Sequence, residues 1–124
     1  MPKLLLIDAS HSTRESLCQI FSDSGEDIEI DEGESGLEAV KKYYETRHDL
    51  VIMGLALPGM DGLEALKRIK ILNQNAKVII LTSLADKDLV IRAAKAGATD
   101  FIAMPFEPRR VLASVKKVLS IISE

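Results

Sequence analysis

The sequence predicts an α/β protein in which helices cover both faces of a parallel sheet. Three short apolar runs, residues 4–7, 50–53 and 78–81, have the composition of strands that are buried on both sides. Segments with helical periodicity lie between the runs, and the connections are only a few residues long. This alternation implies right-handed crossovers between parallel strands. We therefore expect five strands and five helices, folded as a single domain over residues 1–124.

The other two strands are predicted at residues 27–30 and 99–103. Both segments are shorter or more polar than the three apolar runs. Strands of this kind suit the two edges of a sheet, where one side of the strand is less covered.

Helix starts are predicted from side chains that can accept a hydrogen bond from the free N–H groups of a first turn. Three starts have the spacing of a capping box or its aspartate equivalent. The predicted caps are Ser12 with Glu15, Ser35 with Glu38, Asp61 with Glu64, and Asp86 alone. Gly97 is predicted to end the fourth helix.

The fifth helix is predicted to start at Pro108, a residue that suits a first helical turn. Its apolar residues recur at three- and four-residue steps and would pack on the sheet. They are Val111, Leu112, Val115, Val118, Leu119 and Ile122.

Composition excludes several classes of function. The net charge of -3 and the pI near 5.4 give no field that would attract nucleic acid. No apolar run approaches the roughly 20 residues that span a bilayer, so we expect a cytoplasmic protein without membrane contact. Cys18 is the only cysteine, which rules out an internal disulfide and a cysteine-based metal site. The two histidines, His11 and His48, are expected to be solvated at the surface.

Parallel sheets place ligand sites beyond the carboxyl ends of their strands. The residues at four such ends are Asp8, Gly54, Thr82 and Met104. Only Asp8 and Thr82 carry polar groups, so a site at this edge would have little charge.

Segments 3–10, 49–66, 77–83 and 95–106 resemble the receiver domains of bacterial two-component response regulators. The PGMDG turn at 58–62 and the Pro-Phe pair at 105–106 are the most specific marks, and the resemblance spans essentially the whole chain. It implies a flavodoxin-like (βα)5 three-layer sandwich with strand order 2-1-3-4-5.

The resemblance also implies which residues matter. Active receivers hold Mg²⁺ with an acidic pair after the first strand and an acceptor aspartate after the third, and add a hydroxyl and a lysine. The matching positions here are Asp8, Ala9, Gly54, Thr82 and Met104. Three of these five have lost the expected group, which predicts a degenerate phosphorylation pocket without metal or cofactor.

Two further residues follow from the resemblance. Phe101 takes the position of the aromatic switch residue, and the bond before Pro105 is expected to be cis. The domain is therefore interpreted as a non-enzymatic pseudo-receiver that binds a protein, such as a kinase, an output domain or a second copy. Its expected partner face lies on the fourth helix, fifth strand and fifth helix, with Arg92, Lys95, Asp100, Lys116 and Lys117.

Simpler roles compete with these interpretations. Asp8 could accept hydrogen bonds from the following loop, Thr82 and Ser83 could cap the loop before Asp86, and Gly54 could supply a positive φ. The charges on the partner face could be merely solvated.

Alternative functions are an atypical receiver that still accepts a phosphoryl group, or one that binds an apolar or neutral ligand in the remodelled pocket. The chain could also be the receiver portion of a larger regulator, with an output domain after Glu124.

Overall fold

The computed structural model describes residues 1–123, with side chains through residue 120, as five strands that alternate with five helices. The strands are β1 (Lys3–Ile7), β2 (Glu29–Gly33), β3 (Leu50–Gly54), β4 (Val78–Thr82) and β5 (Asp100–Ala103). The helices are α1 (His11–Ser24), α2 (Gly36–Thr46), α3 (Gly62–Leu72), α4 (Lys87–Lys95) and α5 (Pro108–Ser123). All strand pairs are parallel and the order is β2-β1-β3-β4-β5, which confirms the predicted flavodoxin-like α/β fold.

Two apolar clusters, one on each face of the sheet, hold the three layers together. In β1, Leu5 and Ile7 pack with α2, α3 and α4, whereas Leu4 and Leu6 pack with α1 and α5. This division follows from the two-residue repeat of a strand, which sends successive side chains to opposite faces. The apolar runs predicted as central strands are therefore buried on both sides. The predicted position of Ile122 lies outside the described side chains.

Most of the predicted helix ends are confirmed. Ser35, Asp61 and Asp86 each accept a hydrogen bond from a backbone N–H in the first turn of their helix. Pro108 is the first residue of α5. Gly97, directly after the end of α4, has a φ of 105°, a value that L side chains rarely adopt.

The predicted cap at Ser12 is wrong. Helix α1 begins two residues earlier, with Ser10 as its cap: the Ser10 hydroxyl accepts from the Thr13 N–H at 3.2 Å. Asp8 causes this shift because its carboxylate accepts from the Ser10 N–H at 2.9 Å and so turns the chain into the helix early.

Strand β2 also differs from its prediction, since it covers Glu29–Gly33 and not residues 27–30. Its register is set by β1, in which Lys3 pairs with Glu29 and Ile7 with Gly33. The polar residues of this edge strand are accommodated because cations reach them. Asp31 lies 3.2 Å from the Lys42 ammonium, and Glu32 lies 3.2 Å from the Arg14 guanidinium.

The expectation of a solvated His48 is wrong as well. Its side chain is 1% exposed, and its Nε2 lies 3.1 Å from the Asp31 carboxylate. The imidazole stacks on Tyr43, with the ring centroids 6.4 Å apart. Burial opposes ionisation of Asp31, but the hydrogen bonds from His48 and Lys42 outweigh it and hold the Asp31 pKa below its usual value. His11, by contrast, is 78% exposed, as expected.

None of the helices in the described part of the chain combines the length and the apolar character that crossing a bilayer requires.

We predict that His48→Ala lowers the free energy of unfolding by about 2–4 kcal/mol, because it leaves a cavity beside Tyr43 and removes a hydrogen bond to Asp31. His11→Ala is the matched control and should change it by less than about 0.5 kcal/mol. Urea unfolding followed by circular dichroism measures both values. Equal effects of the two substitutions would show that the buried imidazole does not stabilise the fold.

Candidate functional site

The carboxyl ends of two strands and the residues that follow two others meet in one cavity of about 440 Å³. Asp8 follows β1, Gly54 ends β3, Thr82 ends β4 and Met104 follows β5. All four residues line this cavity, because parallel strands end on the same edge of the sheet. The structure thus brings together four of the five residues predicted for the pocket. The fifth, Ala9, is exposed and is not part of the lining.

Asp8 carries the carboxylate nearest to the strand ends. Its Oδ1 accepts from the Ser10 N–H at 2.9 Å, which confirms the predicted role as acceptor for the following loop. Its Oδ2 reaches over Gly54 and lies 2.8 Å from the position that a Cβ on Gly54 would occupy. The Asp8 carboxylate therefore partly fills the space in which a side chain at position 54 would begin.

The Arg14 side chain holds the backbone of Asp8 through a hydrogen bond, a role that was not predicted from the sequence. Its guanidinium donates to the Asp8 carbonyl at 2.6 Å and lies within 3.2 Å of Glu32 and 3.5 Å of Glu34. The side chain is only 7% exposed. Its position three residues before Leu17 on the buried face of α1 was the signal in the sequence. The Arg14 guanidinium contacts the Asp8 backbone and the acidic side chains on and after β2, and Arg14 is not among the residues that line the cavity.

Gly54 does not have a positive φ, so the conformational explanation for this glycine is wrong. The described glycines with positive φ are Gly25, Gly59 and Gly97. What distinguishes Gly54 is contact: the Asp8 carboxylate lies over its Cα, and the backbone of Gly62 lies against its carbonyl oxygen. A Cβ on Gly62 would also lie 2.7 Å from the Leu55 Cα, so the glycine that ends the PGMDG turn lets α3 start close to β3.

Thr82 and Ser83 organise the loop that leads into α4. The Thr82 hydroxyl accepts from the Leu84 N–H at 3.1 Å, and the Ser83 hydroxyl accepts from the Ala85 N–H at 3.4 Å. Leu84 has a φ of 64°, which is unusual for a residue with a side chain. Both hydroxyls therefore cap the loop before Asp86, as the simpler interpretation expected.

Met104 separates this cavity from a neighbouring one of about 250 Å³, which Pro105 and Phe106 also line. The Met104–Pro105 peptide bond is cis. Phe101 is half-buried and packs against the cluster on the side of α2, α3 and α4, without lining the cavity. The aromatic residue and the pocket are thus separate features of this structure.

The five charged residues predicted for a partner face differ in their surroundings, because Asp100 is bound internally and the other four are exposed. Asp100 accepts from the Ser114 hydroxyl at 2.6 Å and from Arg110 at 3.3 Å. Burial opposes ionisation of Asp100, but these hydrogen bonds and the Phe101 N–H outweigh it and lower its pKa. The other four predicted residues are exposed: Arg92 lies 4.0 Å from Asp88, Lys116 lies 3.6 Å from Glu26, and Lys95 and Lys117 have no ion-pair partner among the described side chains.

A magnesium site does not fit the donors at the strand ends. Mg²⁺ requires nearly octahedral oxygen ligands and is usually anchored by one or two carboxylates with a substrate phosphate. Ala9 and Gly54 offer no side-chain oxygen, so Asp8 is the sole carboxylate among the described strand-end residues that line the cavity. Within the part of the chain that the structure describes, no three His, Cys, Asp or Glu residues are arranged to hold a metal ion.

Comparison with known proteins places the whole chain among signalling domains. Residues 4–116 match the family model of the response regulator receiver domain. The chemotaxis protein CheY of Listeria monocytogenes is 42% identical over 117 residues, which cover 94% of this chain and 98% of that protein.

Solved structures of signalling proteins are also similar to this chain in sequence and in fold. CheY in the CheX–CheY–BeF3–Mg²⁺ complex from Borrelia burgdorferi is 34% identical, with a TM-score of 0.85 over 94% of this chain and 88% of that one. The signal receiver domain of a signal transduction histidine kinase from Syntrophus aciditrophicus is 31% identical, with a TM-score of 0.87 over 97% and 91% of the two chains.

We predict that Gly54→Ala lowers the free energy of unfolding by less than about 1 kcal/mol, because the far end of the Asp8 side chain can rotate away. Gly62→Ala is the matched comparison and should cost at least about 2–3 kcal/mol, since its new Cβ would meet backbone atoms that cannot move aside. Thermal and urea unfolding compare the two variants. A larger loss for Gly54→Ala than for Gly62→Ala would contradict the packing described at this edge.

Proposed function

We propose that this chain, which belongs to the response regulator receiver domain family, is a pseudo-receiver that signals through protein contacts and does not accept a phosphoryl group. The observation that carries the proposal is the position of Gly54 at the end of β3, with the Asp8 carboxylate over it. A residue without a side chain there has no nucleophilic oxygen. Residues 1–124 act in this proposal as a single receiver domain.

The rest of the pocket supports the proposal. Phosphoryl transfer needs an acceptor oxygen, a metal that neutralises the phosphoryl charge and further cationic contacts. The residues that line the cavity include Asp8 and Asp86 but no lysine, arginine or histidine. An incoming phosphoryl group would therefore face two carboxylates without a compensating cation, and electrostatic repulsion would oppose its binding.

A lysine in place of Met104 would have fewer carboxylates to pair with than the family resemblance implies. Ala9 and Gly54 supply none, and Asp8 and Asp86 are the acidic residues that line the cavity. Methionine has a similar reach, no charge and an adaptable shape. Met104 thus removes a cation whose partners Ala9 and Gly54 cannot supply.

Relatives indicate the kind of pathway. The Borrelia burgdorferi relative binds CheX and is seen with BeF3 and Mg²⁺, and the Listeria relative is a chemotaxis protein. By analogy, we place this chain in a bacterial two-component type pathway in the cytoplasm. Its partner would be a protein such as a kinase, an output domain or a second copy, and neither a nucleic acid nor a membrane.

The exposed cations on α4 and α5 are the part of the predicted partner face that is available for contact. Lys95 and Lys117 have no ion-pair partner among the described residues, and the pairs of Arg92 and Lys116 are long and exposed. Such pairs contribute little to stability and are easily exchanged for a partner's carboxylates. Asp100 is bound internally and positions α5 against β5.

The direct test is incubation of the protein with acetyl phosphate and Mg²⁺, followed by intact-mass measurement. We expect no phosphoryl adduct. A stoichiometric adduct, located by peptide mapping to any carboxylate of the pocket, would refute the proposal.

A gain of function tests the same reasoning. In the triple variant Ala9→Asp, Gly54→Asp, Met104→Lys, we expect a Mg²⁺-dependent adduct. The new carboxylate at position 54 would form a P–O bond as the bond to the acetyl oxygen breaks and acetate leaves.

The matched control is Ala9→Asp with Met104→Lys, which retains Gly54 and should stay unmodified. Failure of the well-folded triple variant to gain the adduct would show that these three positions do not explain the pocket.

A further inference from the structure

The pocket at the carboxyl edge combines negative charge with apolar walls. Of its lining residues, Asp8 and Asp86 are acidic, and none is basic. The volume of about 440 Å³ lies within the range of small-molecule sites. Charge complementarity therefore selects a ligand with a positive charge and rejects anions such as phosphate.

One oxygen of Asp8 is available to such a ligand. The Asp8 Oδ1 is bound to the Ser10 N–H, whereas its Oδ2 has no hydrogen-bond donor among the described residues. This Oδ2 lies in the recess over Gly54. A carboxylate oxygen that receives a hydrogen bond from a cation forms one of the stronger polar contacts in proteins. Because residue 54 has no side chain, the Asp8 Oδ2 can lie over its backbone and provides an acceptor at the cavity.

The apolar residues of the lining determine what else the ligand must carry. Leu55, Leu81, Leu89 and Met104 present hydrocarbon or thioether groups to the cavity. A hydrated metal ion would leave this surface in contact with water, whereas a short methylene chain would cover it. No aromatic side chain lines the cavity, so the site lacks the rings that select quaternary ammonium groups.

We propose that this pocket binds a free primary alkylammonium ion, with its –NH3⁺ group at the Asp8 Oδ2 and its chain against Leu81, Leu89 and Met104. The inference rests on the proposed function, because a pocket that took up Mg²⁺ and a phosphoryl group would not be available. The ligand ammonium takes the electrostatic place of the lysine that Met104 replaces. The volume of the cavity, which lies within the range of small-molecule sites, favours a free small molecule over the side chain of a docked protein.

The test is an NMR titration of the ¹⁵N-labelled protein with n-butylammonium chloride at constant ionic strength. We expect saturable shifts of the amides of Gly54, Thr82 and Met104, with a dissociation constant in the millimolar range typical of so small a ligand. n-Butanol and sodium pentanoate carry the same butyl chain without the positive charge. Both should bind at least about tenfold more weakly, the difference that one charged hydrogen bond makes.

Substitutions in the protein test whether the ligand ammonium binds at Asp8. Asp8→Asn retains an acceptor for the Ser10 N–H but loses the charge, and it should raise the dissociation constant at least about tenfold. Met104→Lys places an internal ammonium in the pocket and should also abolish binding. Asp88→Asn removes one charge from α4 outside the cavity lining and is the matched control, which should bind like the unmodified protein.

Three outcomes would overturn the inference. They are no saturable shifts with butylammonium, equal binding of butanol, or unchanged binding by Asp8→Asn. A blocked lysine tripeptide distinguishes the source of the ammonium, and tighter binding of the peptide than of butylammonium would refute the assignment to a free small molecule. These results are independent of the acetyl phosphate experiment, so failure here leaves the pseudo-receiver proposal standing.

Discussion

Charge balance at the carboxyl edge of the sheet is the constraint on which the chemistry of this protein depends. The carboxyl ends of parallel strands lie along one edge of the sheet, so a charged group at one strand end lies close to the groups at the neighbouring ends. Of the four described strand-end residues that line the cavity, Asp8 alone carries a carboxylate, and its backbone carbonyl accepts a hydrogen bond from the buried Arg14 guanidinium. In this setting a second carboxylate would need a metal, and a lysine would have Asp8 and Asp86 as its acidic neighbours in the cavity lining. Ala9, Gly54 and Met104 are consistent with one another because each removes a group that the others could no longer balance.

Elsewhere the described residues include buried polar groups that have partners, although the Nδ1 of the buried His48 has none. At the opposite end of the sheet, His48 and Lys42 share the Asp31 carboxylate. Beside α5, Asp100 accepts from the buried Ser114. The fold therefore does not avoid charge in general. The absence of basic residues is a property of the described cavity lining, and it supports the proposed change of function there.

Much of the fold could be predicted because its signals are local. The three apolar runs gave the central strands, and the caps at Ser35, Asp61 and Asp86 depend on residues three positions apart. The wrong predictions concern features that are determined by contacts between residues far apart in the sequence. The range of β2 depends on its register with β1, and the burial of His48 depends on Asp31 and Tyr43, which no periodicity around position 48 reveals.

The pocket residues were predicted from strand ends and family resemblance, but their surroundings were not. The position of the Asp8 carboxylate over Gly54 and the support from Arg14 require coordinates, because they depend on how α1 packs against the sheet.

We propose that the pocket does not hold a phosphoryl group and its metal. The most direct measurement is an NMR titration with Mg²⁺ and beryllium trifluoride, the combination present in the structure of the Borrelia burgdorferi relative. We expect the amides of Gly54, Thr82 and Phe101 to keep their positions throughout the titration. Saturable shifts of these amides that require both Mg²⁺ and beryllium trifluoride would contradict this proposal.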